Sequence, residues 1–172
     1  MAKDHLPRLR AEPLTTPFHL VLLEPEIPQN TGNIGRLSAA LQCPLHLIRP
    51  LGFRIDEKAV RRAGLDYWPL VELYEYDSFD DFVKTAHPSR LCFFTAVATR
   101  SYLDAAFSPG DALVFGKESV GLPLPLIEAH PDNCFAIPTV GGVRSLNLAN
   151  SVSIVAYEAM RQVGTFERTF LG

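Results

Sequence analysis

The chain has 172 residues, with 16 basic and 19 acidic side chains for a formal net charge of −3, and it is 47% hydrophobic and 20% charged. That length suits one domain and that composition builds a core, which excludes a disordered chain, a coiled coil and a collagen-like fibre. No apolar run approaches the roughly 20 residues that span a bilayer, and the acidic balance excludes a wholly basic nucleic-acid coat while leaving room for a local basic patch.

The start, Met1–Arg8, is charged and broken by proline. It has no secretory core, so a cytoplasmic protein is expected. Residues 1–17 lack periodicity and read as a flexible N-terminal arm, 18–164 as one domain and 165–172 as a tail. Short runs rich in Val, Ile, Leu and Phe follow at Phe18–Glu24, Leu45–Ile48, Leu70–Tyr74, Leu91–Val97, Ala112–Phe115 and Cys134–Ile137. Such continuous apolar runs suit strands covered on both faces of a parallel sheet. Helical patterns fall between them at 32–42, 56–63, 78–86 and 123–129, the third opened by Ser78 with Asp81 three residues on, a variant capping box. The last helix is the clearest. Between Leu146 and Val163, apolar Val152, Val155, Ala156, Ala159, Met160 and Val163 recur at steps of three and four, and Gly164 follows as a C-terminal cap. The alternation predicts an α/β fold, a single domain with a mainly parallel sheet flanked by helices.

The common cofactor motifs of α/β proteins are missing. No G-x-G-x-x-G follows the first strand, five residues rather than four separate Gly110 from Gly116-Lys117, and Lys117 stands where a nucleophile elbow needs glycine. Cys43, Cys92 and Cys134 are widely spaced without C-x-x-C, so buried reduced thiols are expected, and the five histidines lack metal-ligand spacing. No metal is expected.

Three strand ends carry chemistry instead. Glu24–Arg36 (EPEIPQNTGNIGR) leaves the first strand at its carboxyl end, where open α/β sheets bind ligands. Asn30, Thr31 and Asn33 are its candidate caps, and Arg36 is expected in the first turn or two, where a cation opposes the helix dipole unless it meets an anion. Val114–Pro123 (VFGKESVGLP) ends a buried strand between two glycines. Ile137–Ser151 (IPTVGGVRSLNLANS) runs from a strand through Gly141-Gly142 to the last helix, with Asn147 and Asn150 on one face. Each could be an ordinary capped turn, but together they can line one crevice. A basic island adds a partner: Arg49, Arg54, Lys58, Arg61 and Arg62 against Asp56 and Glu57 (five minus two, a net of +3), flanked by Phe53, Tyr67 and Trp68. Cations beside aromatics suit phosphate contact with base stacking.

In this order, E-P-x-I-P-x-N-T-G-N-I-x-R, R-R-A-G-L-D-Y, F-G-x-E-x-x-G-L-P and R-S-x-N-L-x-N resemble the SPOUT superfamily of RNA methyltransferases, and among them the TrmL-type tRNA wobble 2′-O-methyltransferases. The resemblance covers residues 18–163. It implies a C-terminal trefoil knot, an exception to the rule against knots, a homodimer with active sites near the subunit interface, and tRNA as substrate. It implies S-adenosylmethionine as methyl donor, leaving S-adenosylhomocysteine, in a pocket lined by Phe94, Thr95, Gly116, Glu118, Gly121, Ile137, Val140, Ser145 and Leu146. It further implies catalytic roles for Asn30, Arg36, Glu118, Ser145 and Asn147, and RNA contact by Arg61, Arg62, Tyr67 and Tyr157. Two departures are the 17-residue arm and a locally less regular first helix at Gly35 and Ser38. The alternatives are another RNA position, ribosomal RNA, or an idle RNA-binding module. A nucleotide hydrolase ranks last because no nucleophile motif or metal set is present.

Overall fold

The computed structural model describes residues 6–54 and 66–172. The expected helix at 56–63, with Arg61 and Arg62, lies outside the described residues. Six strands form one sheet: β2 (His19–Leu23), β3 (Leu45–Ile48), β4 (Leu73–Tyr76), β5 (Leu91–Phe94), β6 (Ala112–Phe115) and β7 (Cys134–Phe135). Their spatial order is β4-β3-β2-β6-β5-β7, with every neighbouring pair parallel. The chain first builds outward from β2 through β3 to β4, then restarts on the other side. The order therefore reverses between β2 and β6, where the carboxyl ends of parallel strands leave an open crevice.

In the strands other than β4, side chains alternate across the sheet and are largely buried on both faces. Leu20, Leu22, Leu45, Leu47, Leu113 and Phe115 pack with Ile34 of α1 (Pro28–Leu41) and with Val152, Val155, Ala156 and Ala159 of the last helix. Val21, Leu23, Ile48, Phe93 and Val114 pack on the opposite face with Phe82 of α2 (Phe79–Ala86) and Leu126 of α3 (Leu124–Ala129). Burial of each such side chain contributes on the order of 1.5–3 kcal/mol. The last helix, α4 (Leu148–Gln162), buries the face that its periodicity predicts, and Gly164 beyond it has φ 77°. The segment after β7 starts at the sheet edge, yet α4 packs against α1 beside the centre. Residues 136–147 thus carry the chain back across the sheet.

Boundaries moved for physical reasons. The strand expected at Leu70–Tyr74 is a 3-10 turn at Trp68–Leu70 followed by β4 three residues later, because Pro69 cannot donate to a ladder. β4 is an edge strand in which Leu73 and Tyr76 are half-buried and Tyr74 and Glu75 exposed, so its apolar signal is weak. β7 is shorter than expected, with Ala136 making only an isolated bridge to Ser101. α1 starts at Pro28, four residues before expectation, which corrects two readings. Asn30, Thr31 and Asn33 do not cap it, and Arg36 falls in the third turn, clear of the positive helix end. Gly35 is required where the sequence looked irregular: a Cβ there would lie 2.7 Å from the Trp68 indole. β1 (Leu9–Ala11) and β8 (Thr169–Leu171) pair antiparallel as a two-stranded ribbon.

All three cysteines are free and buried, as expected, and burial pushes the thiols of Cys43 and Cys92 up to about 11 and about 12. His46 is buried in β3, with its ring nitrogens 2.9 Å from His19 Nδ1 and 3.1 Å from Tyr76 Oη. A neutral His46 satisfies both, accepting from the hydroxyl and donating to His19. Burial, reinforced by His19, pulls its pKa down to about 3.

The unfolded chain therefore binds a proton at this site before the folded one does, and stability falls as pH drops from 6.5 towards 3. His46→Gln keeps hydrogen-bonding groups but does not titrate. Thermal melts between pH 7 and 4 should show wild type losing stability more steeply than His46→Gln, by up to about 1.4 kcal/mol per pH unit; parallel slopes would contradict the neutral pair.

Candidate active site

At the β2–β6 reversal the loops leaving the two strands hold each other by exchanged bonds. Glu118 accepts from the Glu26 N–H at 2.8 Å and the Ile27 N–H at 3.2 Å. In return, Glu26 accepts from the Ser119 N–H and hydroxyl, both at 3.0 Å. These bonds from Ser119 hold the Glu26 carboxyl below the usual carboxylate range. Lys117 Nζ adds an ion pair to Glu24 at 2.9 Å. Glu118 also supplies the anion at the start of α1 that no local side chain provides, since Ile27 is the N-cap residue and has no side-chain cap.

The same carboxylate begins a polar chain. Asn30, buried in α1, donates through Nδ2 to Glu118 Oε1 at 3.0 Å, and its Oδ1 accepts from Asn147 Nδ2 at 3.0 Å. Asn147 Oδ1 then caps α4, accepting from the Ala149 and Asn150 N–H groups. The direction is forced. A carboxylate only accepts, so Asn30 must present its NH2 to Glu118 and its oxygen to Asn147, which leaves the Asn147 oxygen for the helix. Three of the expected catalytic residues, Glu118, Asn30 and Asn147, are therefore one hydrogen-bonded unit joining the loops after β2, β6 and β7.

The other expected residues surround it. Arg36 is exposed, with its guanidinium 4.6 Å from the centre of the Tyr67 ring and 3.9 Å from Asp66. Ser145 is exposed on the loop before α4, Leu146 and Ile137 are half-buried, and Val140 is fully exposed. Phe94 is a core side chain stacked on Phe115 at 4.9 Å, so only its backbone end reaches the loops. Thr95 donates its N–H to the Phe135 carbonyl, tying the loop after β5 to β7. Gly116 packs so closely on the next turn that a Cβ would fall 2.1 Å from the Gly121 carbonyl carbon. Gly121 itself has φ 75°. Tyr157 lies half-exposed on α4, stacked on Phe166 at 5.4 Å.

Sequence reasoning placed Glu24, Glu26, Lys117 and Ser119 in the right segments but gave them no role. Their partners lie 93 residues away in sequence, and no spacing signals such a pairing. Complementary charge in the two loops was the available sign. An open groove of about 560 Å³ lies nearby on the α2–α3 face, lined by Leu23, Ile48, Phe79 and Leu126, away from the Glu118–Asn30–Asn147 unit. Among the described residues, no group of three or more His, Cys, Asp or Glu side chains could hold a metal ion, and no helix is long and apolar enough to cross a membrane.

Residues 17–157 match the SpoU rRNA Methylase family. The tRNA (cytidine(34)-2′-O)-methyltransferase of Saccharophagus degradans is 45% identical over 148 residues, covering 86% of this chain and 96% of that protein. A solved structure described as giving insights into the 2-OH methylation of C/U34 on tRNA is 50% identical, with a TM-score of 0.78 over 85% of this chain and 95% of the other. An AdoMet-bound rRNA methyltransferase from Sinorhizobium meliloti shares the fold at 21% identity and a TM-score of 0.72, covering 90% of this chain and 62% of its own.

Asn147 both caps a helix and terminates the polar chain, so its loss should be visible without substrate. Asn147→Ala should lower unfolding free energy by about 1–2 kcal/mol in urea titrations, and Asn147→Asp, which keeps the cap acceptor, should recover part of it. Unchanged stability in Asn147→Ala would show that the cap is made some other way.

Proposed function

The chain belongs to the SpoU rRNA methylase family, and from that premise we propose that it methylates the ribose 2′-hydroxyl of the wobble nucleotide, position 34, of tRNA. The observation that carries this reading is the Glu118–Asn30–Asn147 unit, which brings three of the expected catalytic residues to the crevice at the sheet's reversal. Relatives at 45–50% identity over nearly their whole length act on that nucleotide.

S-adenosylmethionine, when bound, supplies a methyl group on a sulfonium and departs as S-adenosylhomocysteine. The loops after β5, β6 and β7 fit such a group. Nothing lies within 4 Å of a Cβ built on Gly121, Gly141 or Gly142, and Val97, Val120 and Val140 stand exposed on the three loops. Open backbone with apolar tips suits a purine's edge and faces, and the polar end of the donor would meet Ser145. Phe94, Thr95, Gly116, Ile137 and Leu146 are proposed as the walls and floor. The crossing of residues 136–147 back over the sheet is the path that a trefoil knot needs, and it supports that expectation.

Arg36 faces the acceptor oxygen in this reading. A guanidinium stays charged in a protein and does not accept a proton. It orients the hydroxyl and stabilises negative charge as the oxygen–carbon bond forms and the sulfur–carbon bond breaks. The hydroxyl proton leaves to water or a substrate phosphate. Glu118 does not serve as the base, because Ile27 and Asn30 donate to one of its oxygens and Glu26 to the other. It fixes the loops instead. Tyr157 and Ile154 leave an apolar strip one turn apart on α4, which supports a homodimer. A cytoplasmic location is part of the same proposal, since tRNA is met there.

Labelled S-adenosylmethionine incubated with unmodified bulk tRNA should leave a 2′-O-methyl mark at nucleotide 34. Arg36→Ala should reduce it at least a hundredfold, and Arg36→Lys at least tenfold, since an ammonium lacks the planar fork. Chelator should change nothing. A mark at another nucleotide would discard the wobble assignment, and activity retained in Arg36→Ala would remove Arg36 from the chemistry.

A further inference from the structure

Arg36 is two-thirds exposed, and a long cation at a surface samples many rotamers unless something holds it. The carboxylate of Asp66 is a poor restraint, being 3.9 Å away and itself almost fully exposed. The ring of Tyr67 is a better one. Arg36 Cζ lies 4.6 Å from its centroid, within cation–π range.

Tyr67 is itself fixed to the helix that carries Arg36. Its hydroxyl donates to the Gly32 carbonyl at 2.6 Å, and its ring meets Trp68 edge-on at 6.5 Å. Trp68 sits over Gly35, in the space where any side chain would collide. Gly32, Gly35 and Arg36 lie on adjoining turns of α1. The Tyr67-Trp68 pair is thus docked on the helix, with its hydroxyl occupied and one aromatic face turned to the guanidinium. The ring is half-buried, and both features that would recognise RNA are already engaged within the chain.

We infer that Tyr67 is a positioning residue, whose ring holds the Arg36 guanidinium in the orientation that methyl transfer needs. This rests on the methyl-transfer reading, in which Arg36 meets the ribose hydroxyl. It changes the role expected for Tyr67, from an RNA contact to a support for the catalytic cation. The hydroxyl secures the ring and the ring secures Arg36, so removing the ring should cost far more than removing the hydroxyl.

Two readouts test this. In 15N–1H spectra of the wild-type protein, the Arg36 Nε–Hε resonance, assigned by its loss in Arg36→Lys, should be displaced upfield by the ring current, and Tyr67→Leu should abolish the displacement. In steady-state methylation of tRNA, Tyr67→Leu should lower kcat at least tenfold with KM for tRNA and S-adenosylmethionine affinity within twofold of wild type. Tyr67→Phe should restore most of kcat, and Asp66→Asn should stay within twofold. An undisplaced wild-type resonance would overturn the pairing whether or not Tyr67→Leu folds. Full kcat in Tyr67→Leu, or a loss confined to KM for tRNA, would overturn the positioning role. A wild-type protein that methylates no RNA but shows the displaced resonance would sink the methyl-transfer reading, and this role with it, while keeping the pairing.

Discussion

Two carboxylates exchanged between neighbouring loops hold this protein's functional end together. Glu118 from the β6 loop takes the backbone donors of the β2 loop, and Glu26 from the β2 loop takes those of the β6 loop. Charged acceptors on backbone N–H groups are among the stronger hydrogen bonds available to a protein. Each also answers a need that the parallel sheet creates. Where the strand order reverses, the loops after β2 and β6 diverge to opposite faces, and nothing in the sheet ladder ties them beyond Leu22 and Phe115. The exchange restores that tie, and it satisfies backbone donors that would otherwise face the crevice unpaired.

The proposed catalytic arrangement rests on the same bonds. In the methyl-transfer reading Glu118 is occupied by them and does not act as a general base, and the acceptor oxygen is handled by Arg36, a cation that cannot accept a proton. A site of this kind contributes orientation and charge stabilisation more than proton transfer. Such a site needs stiff supports, and they are visible at each position. Asn30 is locked between two partners of opposite hydrogen-bonding character, Asn147 is fixed by the helix it caps, and Arg36 lies on an aromatic face. Gly116 completes the set, because the β6 loop can fold back on Gly121–Leu122 only where no side chain intervenes.

Much of this was legible in the sequence. Continuous apolar runs identified five of the six sheet strands closely because those strands are covered on both faces, and the α4 periodicity marked the face it buries. β4 was misplaced because an edge strand behind a proline carries little apolar signal. The segments around Asn30, Glu118 and Asn147 stood out through glycine and amide residues at strand ends. Their connection did not, since an amide chain spanning 117 residues of sequence leaves no periodic trace. The start of α1 was missed for a related reason: the anion that satisfies it arrives from residue 118 rather than from a local cap. Tyr67 is a similar case. An aromatic beside a basic run suggests RNA, and nothing in that pattern signals that the Tyr67 hydroxyl donates to the Gly32 carbonyl or that its ring lies against Arg36.

Amide hydrogen exchange in Glu118→Ala tests most directly whether the three loops form one unit. If they do, the variant should lose protection at Glu26 and Ile27, whose bonds it deletes, and also at Ala149 and Asn150, which it touches only through Asn30 and Asn147. Faster exchange at Glu26 and Ile27 with Ala149 and Asn150 unchanged would show three separately stable turns that merely lie side by side, and would contradict the coupling on which this account of the site depends.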